Sequence, residues 1–214
     1  MKVLKRHSSD CLSGLAPGKN GWEEAPTDKI WVELDKMQGG FCAYCECRLK
    51  RKHIEHFKTR TAYAKDTFNW NNLFGSCGDS SKKGGWNRCG IYKDNGAGKY
   101  NIDEIIKPDS DNPNSYLLFL TTGKVVARPE LVGTALRKAE ETIRVFNLNK
   151  DTTLFNSRKS AIKAIEDEIT ELYSMQEELG EDWSTFLEDA ISNVNGEEFQ
   201  TALEHAWSYN LAHS

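Results

Sequence analysis

The chain has 214 residues, 38% hydrophobic and 28% charged, with a formal net charge of −4 and a mean hydropathy of −0.63. That length suits one compact domain, or one domain with an appended subdomain, with a modest core. The longest clean apolar run, YLLFL at 116–120, falls far short of the roughly 20 residues that span a bilayer, so no membrane partner is expected.

The N-terminal MKVLKRHSSDC has basic residues and no apolar run behind them, so no secretory leader is expected. A reducing, cytoplasmic compartment follows. There, six cysteines read as metal ligands or free thiols before disulfides. Charge is unevenly spread: residues 1–130 hold 21 Lys/Arg against 16 Asp/Glu, a net +5, and residues 131–214 hold 7 against 16, a net −9. The first part can approach nucleic acid, whereas the second would be repelled by it.

Residues 8–26, rich in Gly, Ser and Pro, predict loop or extended chain. TDKIWVELDKMQGG (27–40) predicts a helix capped by Thr27 or Asp28, with Ile30, Trp31, Leu34 and Met37 on its apolar face and Gly39-Gly40 as its stop. From Phe41 to about Asn101 the pattern is short and irregular, with a strand expected over Arg48–Phe57; such a stretch needs a staple. YLLFLTTGKVVAR (116–128) predicts a β-hairpin around Thr122-Gly123, preceded by an NPNS loop. The remainder is helical by period. One helix starts at Pro129 and carries Val132, Leu136, Ala139, Ile143 and Phe146. A second covers 157–175 and a third covers 181–194 with Trp183, Phe186, Leu187, Ala190 and Ile191. A last helix after Gly196 has Phe199, Ala202, Leu203, Ala206 and Trp207. These stripes read as the core of a small bundle packed on the cysteine-rich part.

Cys42 and Cys45 form a CxxC whose two-residue gap lets both thiolates face one ion. Cys77 and Cys89 complete a tetrahedral zinc set across an 11-residue spacer (GDSSKKGGWNR), leaving Cys11 and Cys47 over. The competing reading is a redox pair, which would want a strand before the CxxC and a helix running from it; here the helix comes first. Next comes RLKRKHIEHFKTR (48–60). In a strand, His53 and Glu55 share a face and His56 points the other way. A metal-assisted nuclease needs a hard carboxylate ligand, a base near neutral pKa and cations for the phosphate backbone. Glu55, His56 and the cluster Arg48, Lys50, Arg51, Lys52, Lys58 and Arg60 offer all three. The plain alternative is a solvated basic strand with incidental histidines.

CAYCE, then HIEHF, then W-N-N-L, then S-C and a later C-G-x-x-K resemble the zinc-ribbon branch of the HNH endonucleases, over about Gly21 to Lys124. Within that branch the wording around Trp22, FCAYCE, HIEHFKTR, NWNNLFGSCGDS and CGIYKDN is similar to the HNH subunits (PtuB type) of the Septu anti-phage defence systems, as is the NLN turn at 147–149.

The resemblance implies an α+β fold. Residues 1–130 would form the nuclease domain, a small ββα-metal core stapled by a four-cysteine zinc site, and 131–214 an acidic helical subdomain. It implies His56 as general base, Glu55 as ligand of a catalytic Mg²⁺ or Mn²⁺, and Asn72 as the residue orienting the base or the metal-binding loop. The family places a His or Asn as last metal ligand directly after the second cysteine pair. Here Gly90 stands in that place, so Asp94, one turn on, is the expected ligand, with Asn95 as the alternative; His53 is a further metal or phosphate contact or a surface residue.

The implied setting is the bacterial cytoplasm, with nucleic acid as substrate (DNA favoured over RNA). An ATPase subunit (PtuA type) would be the partner, with association with a retron reverse transcriptase complex as a variant. Two other functions fit the same residues: cleavage of RNA such as tRNA in abortive infection, and a non-catalytic zinc-binding nucleic-acid module. Trp70 and Trp86 read equally well as small-core residues. The acidic tail reads as a dock for a basic partner surface, as a shield over the basic face, or as an ordinary solvated bundle.

Overall fold

A computed structural model describes residues 1–78 and 86–209. Asp79 and Ser80 at the end of the resemblance motif, with most of the spacer between Cys77 and Cys89, lie outside these residues. The fold is α+β, with two separate two-stranded antiparallel sheets and eight α-helices among the described residues. None of these helices is long and apolar enough to cross a membrane.

Helix α1 (Thr27–Gln38) buries Ile30, Leu34 and Met37, as its period predicts. Its N-cap is Pro26 and makes no side-chain cap, so the expected Thr27 or Asp28 cap does not form; both residues lie in the first turn. Gly39 (φ +65°) and Gly40 (φ +80°) end the helix in the left-handed region, which glycine alone enters without strain. The chain then folds back into a tight knuckle: Cys42 N–H donates to Cys47 O at 2.9 Å, and Phe41 bridges Arg48.

The expected strand is confined to β1 (Lys52–His56). It pairs in antiparallel register with β2 (Leu73–Cys77), Glu55 opposite Phe74 and His53 opposite Ser76. Gln38 covers the outer side of β2: its amide nitrogen donates to Phe41 O at 2.7 Å and Gly75 O at 2.8 Å, and its oxygen accepts from Gly75 N–H at 2.7 Å. One side chain thus satisfies a sheet edge that would otherwise bury open backbone groups. A short helix, α2 (Cys89–Asn95), lies against both strands.

The second hairpin, β3 (Leu117–Phe119) and β4 (Val125–Ala127), turns around Thr122-Gly123 as predicted. NPNS before it is a short 3-10 turn instead of open loop. Helix α3 (Gly133–Val145) starts four residues later than the sequence suggests. Arg128 N–H still bonds Tyr116 O and so prolongs the hairpin ladder, which draws Pro129 and Glu130 into the connecting turn and leaves Val132 at 77% exposure. The helix expected over 157–175 is two: α4 (Thr152–Lys163) and α5 (Glu166–Ser174), broken at Ala164-Ile165. After α6 (Gln176–Leu179) comes α7 (Trp183–Asn193), whose Phe186 is half-exposed instead of core. Last is α8 (Gln200–Tyr209), which packs on β3, α4 and α7.

One continuous hydrophobic cluster runs from the N-terminal residues through the knuckle to Trp207. Tyr44 stacks on Phe146 at 3.9 Å between ring centroids. Glu46, in the left-handed region at φ +63°, accepts from Thr201 N–H at 2.9 Å and its carbonyl from Phe199 N–H at 3.2 Å, so the knuckle caps α8.

α8 is also pinned by His205, whose Nδ1 accepts from Phe119 N–H at 3.1 Å. Burial, with Arg128 nearby, pushes His205 down to about 4. The folded chain therefore keeps this imidazole neutral where an unfolded one, titrating near 6.5, takes up a proton. Stability is full above pH 6.5 and falls as pH drops toward 4, by about 2 kcal/mol from this group at pH 5. Urea unfolding at pH 7.5 and pH 5 should show a loss about 2 kcal/mol smaller in His205→Gln than in the unsubstituted chain; an equal loss in both would show that His205 is not the group.

Candidate active site and cysteine cluster

Cys42, Cys45, Cys77 and Cys89 bring their sulfurs within 4.8 Å of one another, all buried. They are the only such group of three or more metal-ligating side chains among the described residues. The knuckle supplies two, the end of β2 the third and the first residue of α2 the fourth. Cys45 Sγ and Cys77 Sγ are 3.6 Å apart; a tetrahedron with metal–sulfur arms of about 2.3 Å has edges of about 3.8 Å. The cluster can hold a metal ion, and its geometry fits zinc. Burial pushes the Cys45 and Cys89 thiols up and the contact with Cys42 pushes Cys77 up; Cys42 alone, taking hydrogen bonds from the other three, falls well below the usual thiol range against its own burial. Four thiolates together require a cation. Cys89 takes part at a conformational cost: its φ is +55°, and its N–H is held by Phe146 O at 2.9 Å. Cys11 and Cys47 remain outside the group.

The hairpin and α2 open onto a cleft of about 880 Å³ whose walls include Trp22, Trp31, His53, Glu55, His56, Arg60, Asp94 and Asn95. Strand alternation puts His53 and Glu55 on one face, with His53 Nε2 at 3.2 Å from Glu55 Oε2. His56, at the end of β1 and on the other face, still reaches the same cleft. Its Nε2–H donates to Thr67 O at 3.0 Å, and its ring meets Trp22 edge-on at 4.3 Å. That bond sets the tautomer and leaves the Nδ1 lone pair without a partner among the described residues. Burial, with the nearby Arg60 cation, pushes His56 down to about 4.

Glu55 is 1% exposed. Its carboxylate lies over Gly90, where a Cβ would fall 2.1 Å from Oε2. Gly90, which has no side chain, is therefore the gap that admits this carboxylate. Glu55 Oε1 faces the ammonium of Lys93 at 2.9 Å, yet makes no hydrogen bond. Burial alone would raise Glu55; Lys93, followed by His53, more than offsets it and holds the carboxyl below its usual range. Asp94 lies one helical turn beyond Gly90 and takes a hydrogen bond from the same ammonium. Burial, then repulsion from Glu55, pushes Asp94 up to about 6. Asn95 spends its amide nitrogen on Ile91 O at 2.9 Å, which leaves its oxygen free.

Asn72 does not line the cleft. Its oxygen accepts from Lys58 N–H at 2.7 Å, and its nitrogen donates to Lys58 O at 2.9 Å and Asp66 O at 3.1 Å. It clamps the loop that carries Thr67 O, and so acts on His56 only through that loop.

The six basic residues do not form one patch. Arg60 lies on the cleft over Trp22 at 5.6 Å, and Lys52 lies over Trp31 at 4.1 Å. Lys58 is drawn aside by Asp66 at 3.9 Å. Arg48 belongs to a different groove, with Glu168, Glu197 and Glu198, and its N–H donates to Glu198 at 2.6 Å. Lys50 and Arg51 are exposed and outside the cleft. Trp70 is core, its indole N–H bonded to His7 O, and Trp86 carries the Arg88 guanidinium at 4.4 Å.

Sequence reasoning included Lys93 in the C-G-x-x-K motif without giving it a role, and missed the Thr67 carbonyl. A single lysine in a seven-residue helix carries no periodic signal of burial, and a carbonyl carries no signal at all. Among known proteins, no family model matches this chain and no curated protein is detectably similar to it.

Gly90→Ala should push the Glu55 carboxylate away from Lys93 and destabilise the fold by about 3–5 kcal/mol, as expected for a disrupted buried ion pair. Urea unfolding measures this, and a loss below about 0.5 kcal/mol, that of an ordinary surface substitution, would mean that Glu55 can relocate freely.

Proposed function

We propose that this chain is a metal-dependent endonuclease of the HNH type, hydrolysing phosphodiester bonds of DNA. The observation that carries the reading is the convergence on one cleft of a neutral histidine with a free Nδ1, His56, and two carboxylates, Glu55 and Asp94, with the Arg60 cation beside them. The motif order in the sequence, and the hairpin-plus-helix that carries these groups, support it.

The residues fit two metals. The four cysteines suit a structural zinc by donor type, burial and spacing. Glu55, Asp94 and Asn95 offer hard oxygen donors beside an open cleft; that donor set suits Mg²⁺ or Mn²⁺. A divalent ion bound there supplies charge stabilisation for the scissile phosphate and the leaving oxygen. His56 takes the proton of the attacking water on Nδ1, its tautomer set by Thr67 O. Arg60 holds a phosphate oxygen at the mouth of the cleft. Asn72 is a positioning residue that keeps the Thr67 loop in place. His53 orients Glu55 through the bond to Oε2.

The wording of the motifs supports a place in an anti-phage defence complex, with an ATPase subunit as partner and the association with retrons as a variant. In this reading the acidic C-terminal helices face a basic surface of that partner.

Supercoiled plasmid and total tRNA, incubated in parallel with the chain and Mg²⁺ or Mn²⁺, with and without the ATPase, test the reading. Plasmid cleavage is expected, falling about 10²–10⁴-fold in His56→Ala and in Glu55→Gln, and less in Asp94→Asn. Cleavage confined to tRNA would change the substrate class. No His56-dependent cleavage in any lane would leave a zinc-binding nucleic-acid module. Metal analysis of the purified chain should find one zinc per chain, lost in Cys89→Ser together with cooperative unfolding; a stable, zinc-free chain would remove the structural metal.

A further inference from the structure

We propose that Lys93 is an internal rival of the divalent ion: a fixed cation seated between Glu55 and Asp94 that keeps the metal affinity of the cleft low. The proposal rests on the reading of those two carboxylates as ion ligands and goes beyond it.

The Lys93 side chain is fully buried. Its Nζ lies 2.9 Å from Glu55 Oε1, donates to Asp94 Oδ1, and reaches His56 O at 3.3 Å and Tyr100 OH at 3.5 Å. Four oxygens from β1, α2 and the following loop thus surround one ammonium, as a coordination shell surrounds an ion. A surface lysine could swing away when a metal arrives. This one has its stem packed in the core and its hydrogens committed on several sides, so its charge stays. With Glu55 and Asp94 ionised, the local sum is −1 with Lys93 and −2 without it. Any ion that touches both carboxylates lies within a few ångströms of Nζ, where like charges repel with little screening from water.

A purely structural role predicts something different. If Lys93 only neutralises Glu55, its removal leaves a loosened, partly protonated carboxyl and a weaker metal site. If Lys93 competes with the ion, its removal uncovers a dicarboxylate and a stronger one. The sign of the change in affinity separates the two.

The experiment uses the full zinc-loaded chain at pH 8 without nucleic acid and titrates Mn²⁺, with the free ion followed by electron paramagnetic resonance. Lys93→Met removes the charge and keeps the length of the side chain. Lys93→Gln is the second neutral variant, able to donate a hydrogen bond to Glu55 if the methionine form does not fold, and thermal melting identifies folded protein. Lys93→Arg keeps the charge. Both neutral variants that fold should bind Mn²⁺ at least ten-fold tighter than the unsubstituted chain, and Lys93→Arg within about two-fold of it. Adding Glu55→Gln should abolish the gain. Unchanged or weaker binding in the neutral variants, beside Glu55-dependent binding in the unsubstituted chain, overturns the rivalry and leaves the divalent-ion site standing. No Glu55-dependent Mn²⁺ binding in any of the proteins overturns both.

Discussion

Four thiols from three separate elements share one small buried volume, and the position of every group on the cleft follows from that gathering. The knuckle, the end of β2 and the start of α2 meet at the sulfurs. Because Cys77 ends β2 and Cys89 opens α2, the cluster sets the helix against the hairpin, and only then does Gly90 come beneath Glu55 and Lys93 beside it. The two-stranded sheet is too small to hold such a helix by apolar burial alone. A metal bound to the four thiols would add the missing cohesion and would offset the left-handed backbone at Cys89.

The interior holds several buried charges, and they follow two patterns. Lys93 is matched by carboxylates. Arg158, 1% exposed, has none: it donates to the carbonyls of Gly123 and Leu148 and sits over Phe119. Burial pulls the Arg158 guanidinium down to about 10, against the opposing pull of the thiols of the knuckle, yet it stays charged at neutral pH. A metal bound to four thiolates carries net negative charge, and Arg88 and Arg158 are two cations placed to feel it. Buried ion pairs are costly to desolvate and give stability only when fully hydrogen-bonded; here each fixes the orientation of one element against another.

Charge also divides the surface. The cleft side carries Arg60 and Lys52 against tryptophan faces. Helices α5 to α7 carry most of the acidic residues of the tail in exposed positions. Arg48, which by sequence belongs to the basic run, lines a groove on that acidic side: its backbone N–H bonds Glu198 and its guanidinium lies over Phe41 at 4.8 Å. The two faces are joined by Glu46, so the C-terminal helices are part of the same rigid core as the knuckle.

The pairing of Cys42 with Cys45 and their completion by Cys77 and Cys89, the shared face of His53 and Glu55, the β3–β4 turn and the apolar face of α1 were all legible in the sequence, because each depends on spacing or period along a local segment. The fate of Lys93, the service of Gly90 as a gap for Glu55, the withdrawal of Asn72 from the cleft and the diversion of Arg48 were not. Each depends on what a residue meets from a distant part of the chain, and no local pattern encodes that. The break at Ala164-Ile165 and the exposure of Phe186 belong with them, since a helical stripe says which side chains can share a face but not whether a neighbour is there to cover it. The sequence by itself determined the four cysteines and the strand that carries His53, Glu55 and His56; only the tertiary structure decided that a buried ammonium lies between Glu55 and Asp94, because electrostatic partnership is a matter of distance through space.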